Sequence, residues 1–241
     1  YTKPIGTAVA VKPAKTYGKP DEIDTEGLDR TAKMYIGGKQ ARPDSGYSKP
    51  VFSPKGKLLG HAAVGSRKDI RNAVEAAQAA TGWAKASAHL RAQILYYVGE
   101  NLSARADEFA ARIVGLTGTT VGKAEAEVTE AIDTLFTFAA WCDNFDGAAK
   151  PVPMRGVALA MNEPVGVIGA FCDDRPLGGL IDVIAPAIAM GNRVVAVASA
   201  AYPLAATDFY QVLDTSDLPA GVVNILMGPH PHLAPTMAGH R

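Results

Sequence analysis

The chain has 241 residues, 48% of them hydrophobic and 20% charged, which suits one large domain or two small ones and argues against wholesale disorder. Lys and Arg together number 24, as do Asp and Glu, so no basic excess points to nucleic acid as a partner. No apolar run approaches the roughly 18 residues a membrane helix needs, so no membrane partner is expected either.

Residues 1–30 are rich in Lys, Pro, Thr and Gly. Beyond a short run at Thr7–Val11 they lack periodicity and read as a linker or extended arm. The start Tyr1-Thr-Lys-Pro has no charged segment followed by an apolar one, so no signal peptide is visible. A start on Tyr rather than Met suggests a piece of something longer. Cys142 and Cys172 lie far apart. Without a secretory signal they read as free thiols in a reducing, cytoplasmic setting.

Met34-Tyr-Ile-Gly-Gly-Lys-Gln40 has the form of a small hairpin, and Val51 to Val64 supplies two more short strands around Ser53-Pro-Lys-Gly56. Four helices follow. Ser66 and Asp69 have capping-box spacing ahead of Ile70, Ala73, Val74, Ala77 and Ala80. A second helix carries Leu90, Ile94, Leu95, Val98 and Leu102. A third, capped by Ser103, carries Phe109, Ile113 and Leu116 and ends near Gly118. A fourth, Lys123 to Asp143, aligns Val128, Ile132, Leu135, Ala139 and Cys142. These stripes read as core.

After Gly147 the pattern changes. Val152 to Met161 reads as a hairpin turning at Arg155-Gly156. Then come strand Val165–Phe171, helix Leu177–Met190, strand Arg193–Ala198, helix Leu204–Leu213 and strand Gly221–Leu226. Strand starts about 30 residues apart match βαβ units, and continuous apolar strands match a parallel sheet covered on both faces. The fold class is therefore α/β.

Ligands in such sheets bind at the carboxyl ends of the strands, here Phe171-Cys-Asp-Asp-Arg-Pro176 and Val197-Ala-Ser-Ala200. Asp173 and Asp174 stand where a helix N-terminus would face a pyrophosphate. Capping by Asp174 or Arg175, with Pro176 in the first turn, accounts for both residue type and position. A carboxylate there repels phosphate by about 1 kcal/mol at 4 Å even in water. Cys172 beside carboxylates, with no nearby histidine, reads as structural. His230 and His232 read as a solvated loop rather than metal ligands, since nothing completes a ligand set. His61, His89 and His240 are isolated. Neither a Gly-x-Gly-x-x-Gly nor a Walker lysine is present, and Gly166 and Gly169 read as allowing close packing within a strand.

Glu163-Pro-Val-Gly-Val-Ile-Gly169, Ile184-Ala-Pro-Ala-Ile-Ala-Met-Gly-Asn-Arg-Val-Val195, Tyr202-Pro-Leu and Leu218-Pro-Ala-Gly-Val-Val-Asn-Ile225 with Gly228 together resemble the aldehyde dehydrogenase superfamily in order and spacing. Tyr35-Ile-Gly-Gly-Lys39 and the Trp83 helix are similar to its amino-terminal region, so the likeness spans about residues 33 to 228. Within the superfamily the chain looks most like the degenerate second domain of the tandem-domain branch.

The resemblance implies the amino-terminal, cofactor-domain portion of that fold: a Rossmann-like parallel sheet preceded by a helical segment and a β-hairpin. Residues 1–30 would be the linker, and 31–241 an incomplete cofactor-type domain with hairpin 152–161 for oligomerisation. The family oxidises aldehydes with NAD or NADP through a cysteine thiolate, an oxyanion-binding asparagine and a glutamate. Here the Pro-Trp-Asn-x-Pro segment is one residue shorter, and Asp174 takes the asparagine's place. A carboxylate accepts only and cannot donate to an oxyanion. The ribose-binding Lys-Pro-Ser/Ala-Glu becomes Val197-Ala-Ser-Ala200, without lysine or glutamate. The family's cysteine and glutamate lie further along than Arg241.

Phe171, Asp173, Asp174, Val197 and Ser199 are therefore the vestigial cofactor positions, with no catalytic residue and no dinucleotide bound by this chain. The implied role is a structural or assembly domain, partnered by a catalytic aldehyde dehydrogenase domain or an identical chain in an oligomer. Alternatives are part of an active aldehyde dehydrogenase and a small-molecule binding module. An open sheet edge predicts an oligomeric or poorly behaved species.

Overall fold

The computed structural model describes residues 9–10, 31–145 and 147–240. The proposed arm at 1–30 lies outside the described residues, apart from β1 (Val9–Ala10), which pairs antiparallel with β4. The order is β1, β2 (Met34–Ile36), β3 (Lys39–Ala41), β4 (Tyr47–Phe52), β5 (Leu58–Ala63), α1 (Arg67–Ala79), α2 (Gly82–Lys85), α3 (Ala88–Ala104), α4 (Ala106–Thr117), α5 (Val121–Asn144), β6 (Gly147–Lys150), β7 (Ala158–Met161), β8 (Val167–Phe171), α6 (Gly178–Ala189), β9 (Arg193–Val197), α7 (Pro203–Asp214), β10 (Val223–Leu226) and α8 (His230–Ala238). No helix among the described residues is long and apolar enough to cross a membrane.

The central sheet runs β3-β2-β10-β9-β8. β8, β9 and β10 are parallel, as expected, but the sheet is mixed. The amino-terminal hairpin joins it antiparallel, with Ile225 opposite Tyr35. That junction is fixed by Asn224, which is fully buried and fully bonded. Its Oδ1 accepts from Gly37 N at 2.8 Å, and its Nδ2 donates to the carbonyls of Val194 and Gly221. A buried amide left unpaired would be costly, so Asn224 sets the register of three strands. Gly221 (φ +83°) makes the turn into β10 where a Cβ would stand 2.5 Å from the Ala76 carbonyl.

Helices α1 and α8 lie against one face of the sheet, and α6 and α7 against the other with α3, α4 and α5 behind them. Ser66 and Asp69 form the capping box the sequence announces: Asp69 Oδ2 accepts from Ser66 N at 2.7 Å and the Ser66 side chain accepts from Asp69 N. Trp83, from the short α2, is buried with Nε1 on the Ile188 carbonyl at 3.0 Å, tying the helical layer to α6. Three expectations are corrected. Ser103 lies inside α3 and the break falls at Arg105, whose side chain grips Glu108. Leu90 is exposed, not core. The hairpin begins earlier than 152: β6 pairs with β7 from Gly147↔Met161 to Lys150↔Ala158, and residues 151–157 form a loop rather than a two-residue turn.

Candidate functional site

β8 and β9 end side by side, Phe171 opposite Val197, and Cys172 N continues the ladder onto the Val197 carbonyl at 2.9 Å. Of the five positions singled out from the sequence, the fold brings four together. Beyond the paired Phe171 and Val197, Ser199 Oγ donates to Asp174 Oδ1 at 2.8 Å and accepts from the amides of Ala201 and Tyr202. Asp174 thus acts as an acceptor that fastens one strand end to the next. Asp173 turns away: it accepts from Arg175 N at 2.9 Å and from the Arg175 guanidinium. Burial pushes the Asp173 carboxyl up, but the bonds from Arg175 hold it below the usual range. Arg175 also reaches Asp182 on α6.

Neither aspartate caps α6. Leu177 N and Gly178 N both donate to Glu127 Oε1 on α5, at 2.9 and 3.1 Å. The anion at this helix N-terminus is therefore supplied by the protein itself, from fifty residues upstream. Nothing in the local sequence signals it, because cap rules look only along the chain.

Cys172 is 3% exposed, and burial, with Asp173 second, pushes its thiol up to about 12. Cys142, on α5, is pushed by burial to about 11, and its Sγ donates to the Phe138 carbonyl. Neither is a thiolate at neutral pH.

The histidine loop is instead a helix. His230 opens α8, its ring 5.1 Å from that of Phe171 and its Nε2 2.9 Å from the Ala198 carbonyl. A carbonyl can only accept, so Nε2 carries the proton. Sequence reading also missed Lys49. From β4 its ammonium donates to the Ala200 carbonyl, and burial lowers its pKa. A cation thus does stand at the loop Val197–Ala200, supplied from another sheet and engaged by backbone. Gly169 packs closely, as expected, against Met237. Gly166 instead precedes β8 at φ +125° with open space around it, so its role is backbone conformation.

Parallel strands crossing to helices on both faces, with side chains converging at the carboxyl ends, define a Rossmann-like α/β class of fold. Residues 35–241 match the model of the aldehyde dehydrogenase family, and the chain belongs to that family. It is 30% identical over 202 residues to malonate-semialdehyde dehydrogenase of Bacillus pumilus strain SAFR-032, covering 82% of this chain and 42% of that protein. It is 30% identical over 224 residues to human cytosolic 10-formyltetrahydrofolate dehydrogenase, covering 86% of this chain and 25% of that protein. Among solved structures, an aldehyde dehydrogenase from Brucella melitensis biovar abortus 2308 superposes with TM-score 0.84 at 25% identity, covering 87% of this chain and 44% of that one. Betaine aldehyde dehydrogenase from Staphylococcus aureus in complex with NAD+ gives TM-score 0.83 at 22% identity, over 87% and 43%. The chain thus spans less than half the length of these relatives.

Proposed function

We propose that this part of the family fold is a non-catalytic assembly domain of an aldehyde dehydrogenase protein. The observation that carries the reading is the bond from Ser199 to Asp174. An acceptor-only carboxylate stands where the resemblance places an oxyanion donor, and its lone pairs are used to join two strand ends. The residues present do not suit NAD or NADP. Glu127 fills the α6 N-terminus, His230 holds the Ala198 carbonyl, and Lys49 holds that of Ala200.

The assembly half of the reading rests on exposed apolar side chains. Leu159 and Met161 on β7 are 65% and 64% exposed, with Met154 and Val157 in the adjoining loop more so. Trp141 and Phe145 at the end of α5 are exposed as a ring pair 5.7 Å apart, and Asn162 Nδ2 ties the hairpin's end to the Phe145 carbonyl. Such patches mark interaction surfaces. The partner is a catalytic aldehyde dehydrogenase domain or a second copy of this chain, in a soluble oligomer. The second reading, a portion of an active NAD(P)-dependent enzyme, is favoured by one observation: the chain matches under half of each dehydrogenase relative.

Calorimetric titration with NAD and NADP separates the two. The assembly reading expects absent or millimolar affinity; micromolar binding of either dinucleotide overturns it in favour of the second.

A further inference from the structure

Lys49 stands on β4 among apolar neighbours. It shares one face of the strand with Val51, and in the antiparallel register Ala62 lies opposite Lys49 and Gly60 opposite Val51 on that same face. The face is turned to the start of α7, since a Cβ on Gly60 would stand 3.6 Å from Leu204 Cδ1. Val51, Ala62 and Leu204 are all buried. Lys49 is half-buried, and its stem runs over this apolar wall to bring the amine to the Ala200 carbonyl.

Among the described residues that carbonyl is the partner of the amine, and no carboxylate pairs with it. Lys68 shows the usual alternative, an exposed ammonium on the Asp44 carboxylate at 2.5 Å. Around Lys49, α7 carries no acid in its first turn, Asp174 is bonded to Ser199, and His61, opposite Pro50, projects from the other face of the strand pair. A carboxylate would favour the charged amine. A carbonyl accepts from the ammonium and from the neutral amine alike, so Lys49 keeps its anchor on losing a proton while its lone pair comes free. Burial, which lowers its pKa, raises the neutral share further.

We propose that Lys49 is a covalent acceptor for small uncharged aldehydes, held at the Ala200 carbonyl. The Nζ lone pair adds to the aldehyde carbon, the carbonyl oxygen leaves as water, and an imine joins that carbon to Nζ. Counted from the ammonium, two of its three protons depart with the water. The third stays on the imine nitrogen, where it can go on donating to Ala200. No electrons are exchanged and no co-reactant is needed. The apolar wall beside the amine suits a short hydrocarbon tail and disfavours a charged one. Lys49 lies on a different sheet from the β6–β7 hairpin, so this proposal goes beyond the assembly reading and stands or falls separately from it.

The test is reductive trapping on the full chain with propanal and cyanoborohydride at pH 7, stopped at low conversion. Reduction of each imine leaves one propyl group, and peptide mass spectrometry gives the initial rate at each lysine. Lys49 is expected to react at least about fivefold faster than the exposed Lys39, Lys57 and Lys85, because a lysine titrating one unit lower carries about tenfold more neutral amine. The preference should vanish in the urea-unfolded chain. Lys49 reacting no faster than those three, or a preference that survives in urea, overturns the proposal. Lys49→Met, with its fold confirmed by circular dichroism, should lose the fast phase of uptake seen in the whole-protein mass, and a fast phase that persists also overturns it. Should that variant not fold, the rates on the native sequence still decide.

Discussion

The inner strands β9 and β10 of the central sheet and those of the β6–β7 hairpin are about equally long and rich in apolar residues, yet they meet opposite fates. All four residues of β10 are buried, and β9 leaves only Arg193 half-covered. β6 is exposed at every position and β7 at three of four. Helices cover both faces of the sheet; among the described residues the hairpin is covered by neither helix nor strand. Hydrophobic stabilisation follows area removed from water, so the same residue types stabilise this chain in one region and contribute little in the other. On the assembly reading, what the hairpin's side chains can gain they gain against another chain.

The largest expected effect tests the buried side of that contrast. Phe209 on α7 is fully buried and meets Phe109 edge-on at 6.3 Å between ring centres. Phe209→Ala should cost about 3–5 kcal/mol, read as a lowered urea midpoint. Leu159→Ala on the hairpin should stay within about 0.5 kcal/mol. The contrast breaks if the two variants lose comparable stability. It sharpens if Leu159→Asp with Met161→Asp leaves the urea midpoint in place while lowering the sedimenting mass, as the assembly reading expects.

Next in size is the α6 cap. Glu127→Ala removes the acceptor of two amides from a helix that underlies the sheet, and should cost about 1–2 kcal/mol. Asp173→Asn, on an exposed group that caps nothing, should leave the urea midpoint nearly unchanged. A reversed order would restore the local aspartates as the cap.

Much of this was legible in the sequence because it is local. The capping box at Ser66, the Gly37-Gly38 hairpin turn (φ +61° and +75°) and the apolar runs of β8 to β10 each announce themselves within a few residues. The family resemblance rests on the same kind of signal, ordered short motifs. Illegible parts all depend on residues far apart in the chain. Asn224 joins β2 to β10 across 187 residues, Glu127 caps a helix from 51 away, and Lys49 reaches a loop 151 away. In the candidate site, the sequence placed Asp174 and Ser199 at neighbouring strand ends but held no hint that they bond. His230 was misread because two prolines in five residues look like a loop, although proline in the first turn of a helix loses no bond.

The smallest effect concerns the thiols, and near neutral pH it is nil. An unfolded cysteine titrates near 8.5, whereas burial raises Cys172 to about 12 and Cys142 to about 11 in the folded chain. Folding therefore favours the protonated form. Whatever stability this linkage confers is fully present below about pH 8.5 and is lost as pH rises through that value toward 11 and 12. Between pH 6 and 8 the thiols should add no slope to stability, and native protein should resist iodoacetamide while urea-unfolded protein reacts at both cysteines. Labelling of native Cys172 at pH 8 would mean that the buried sheet stops short of its own carboxyl ends. The thiol would then be a reachable nucleophile beside Asp174, and the divide between a closed sheet and an open hairpin would have to be redrawn at the one place where chemistry is at stake.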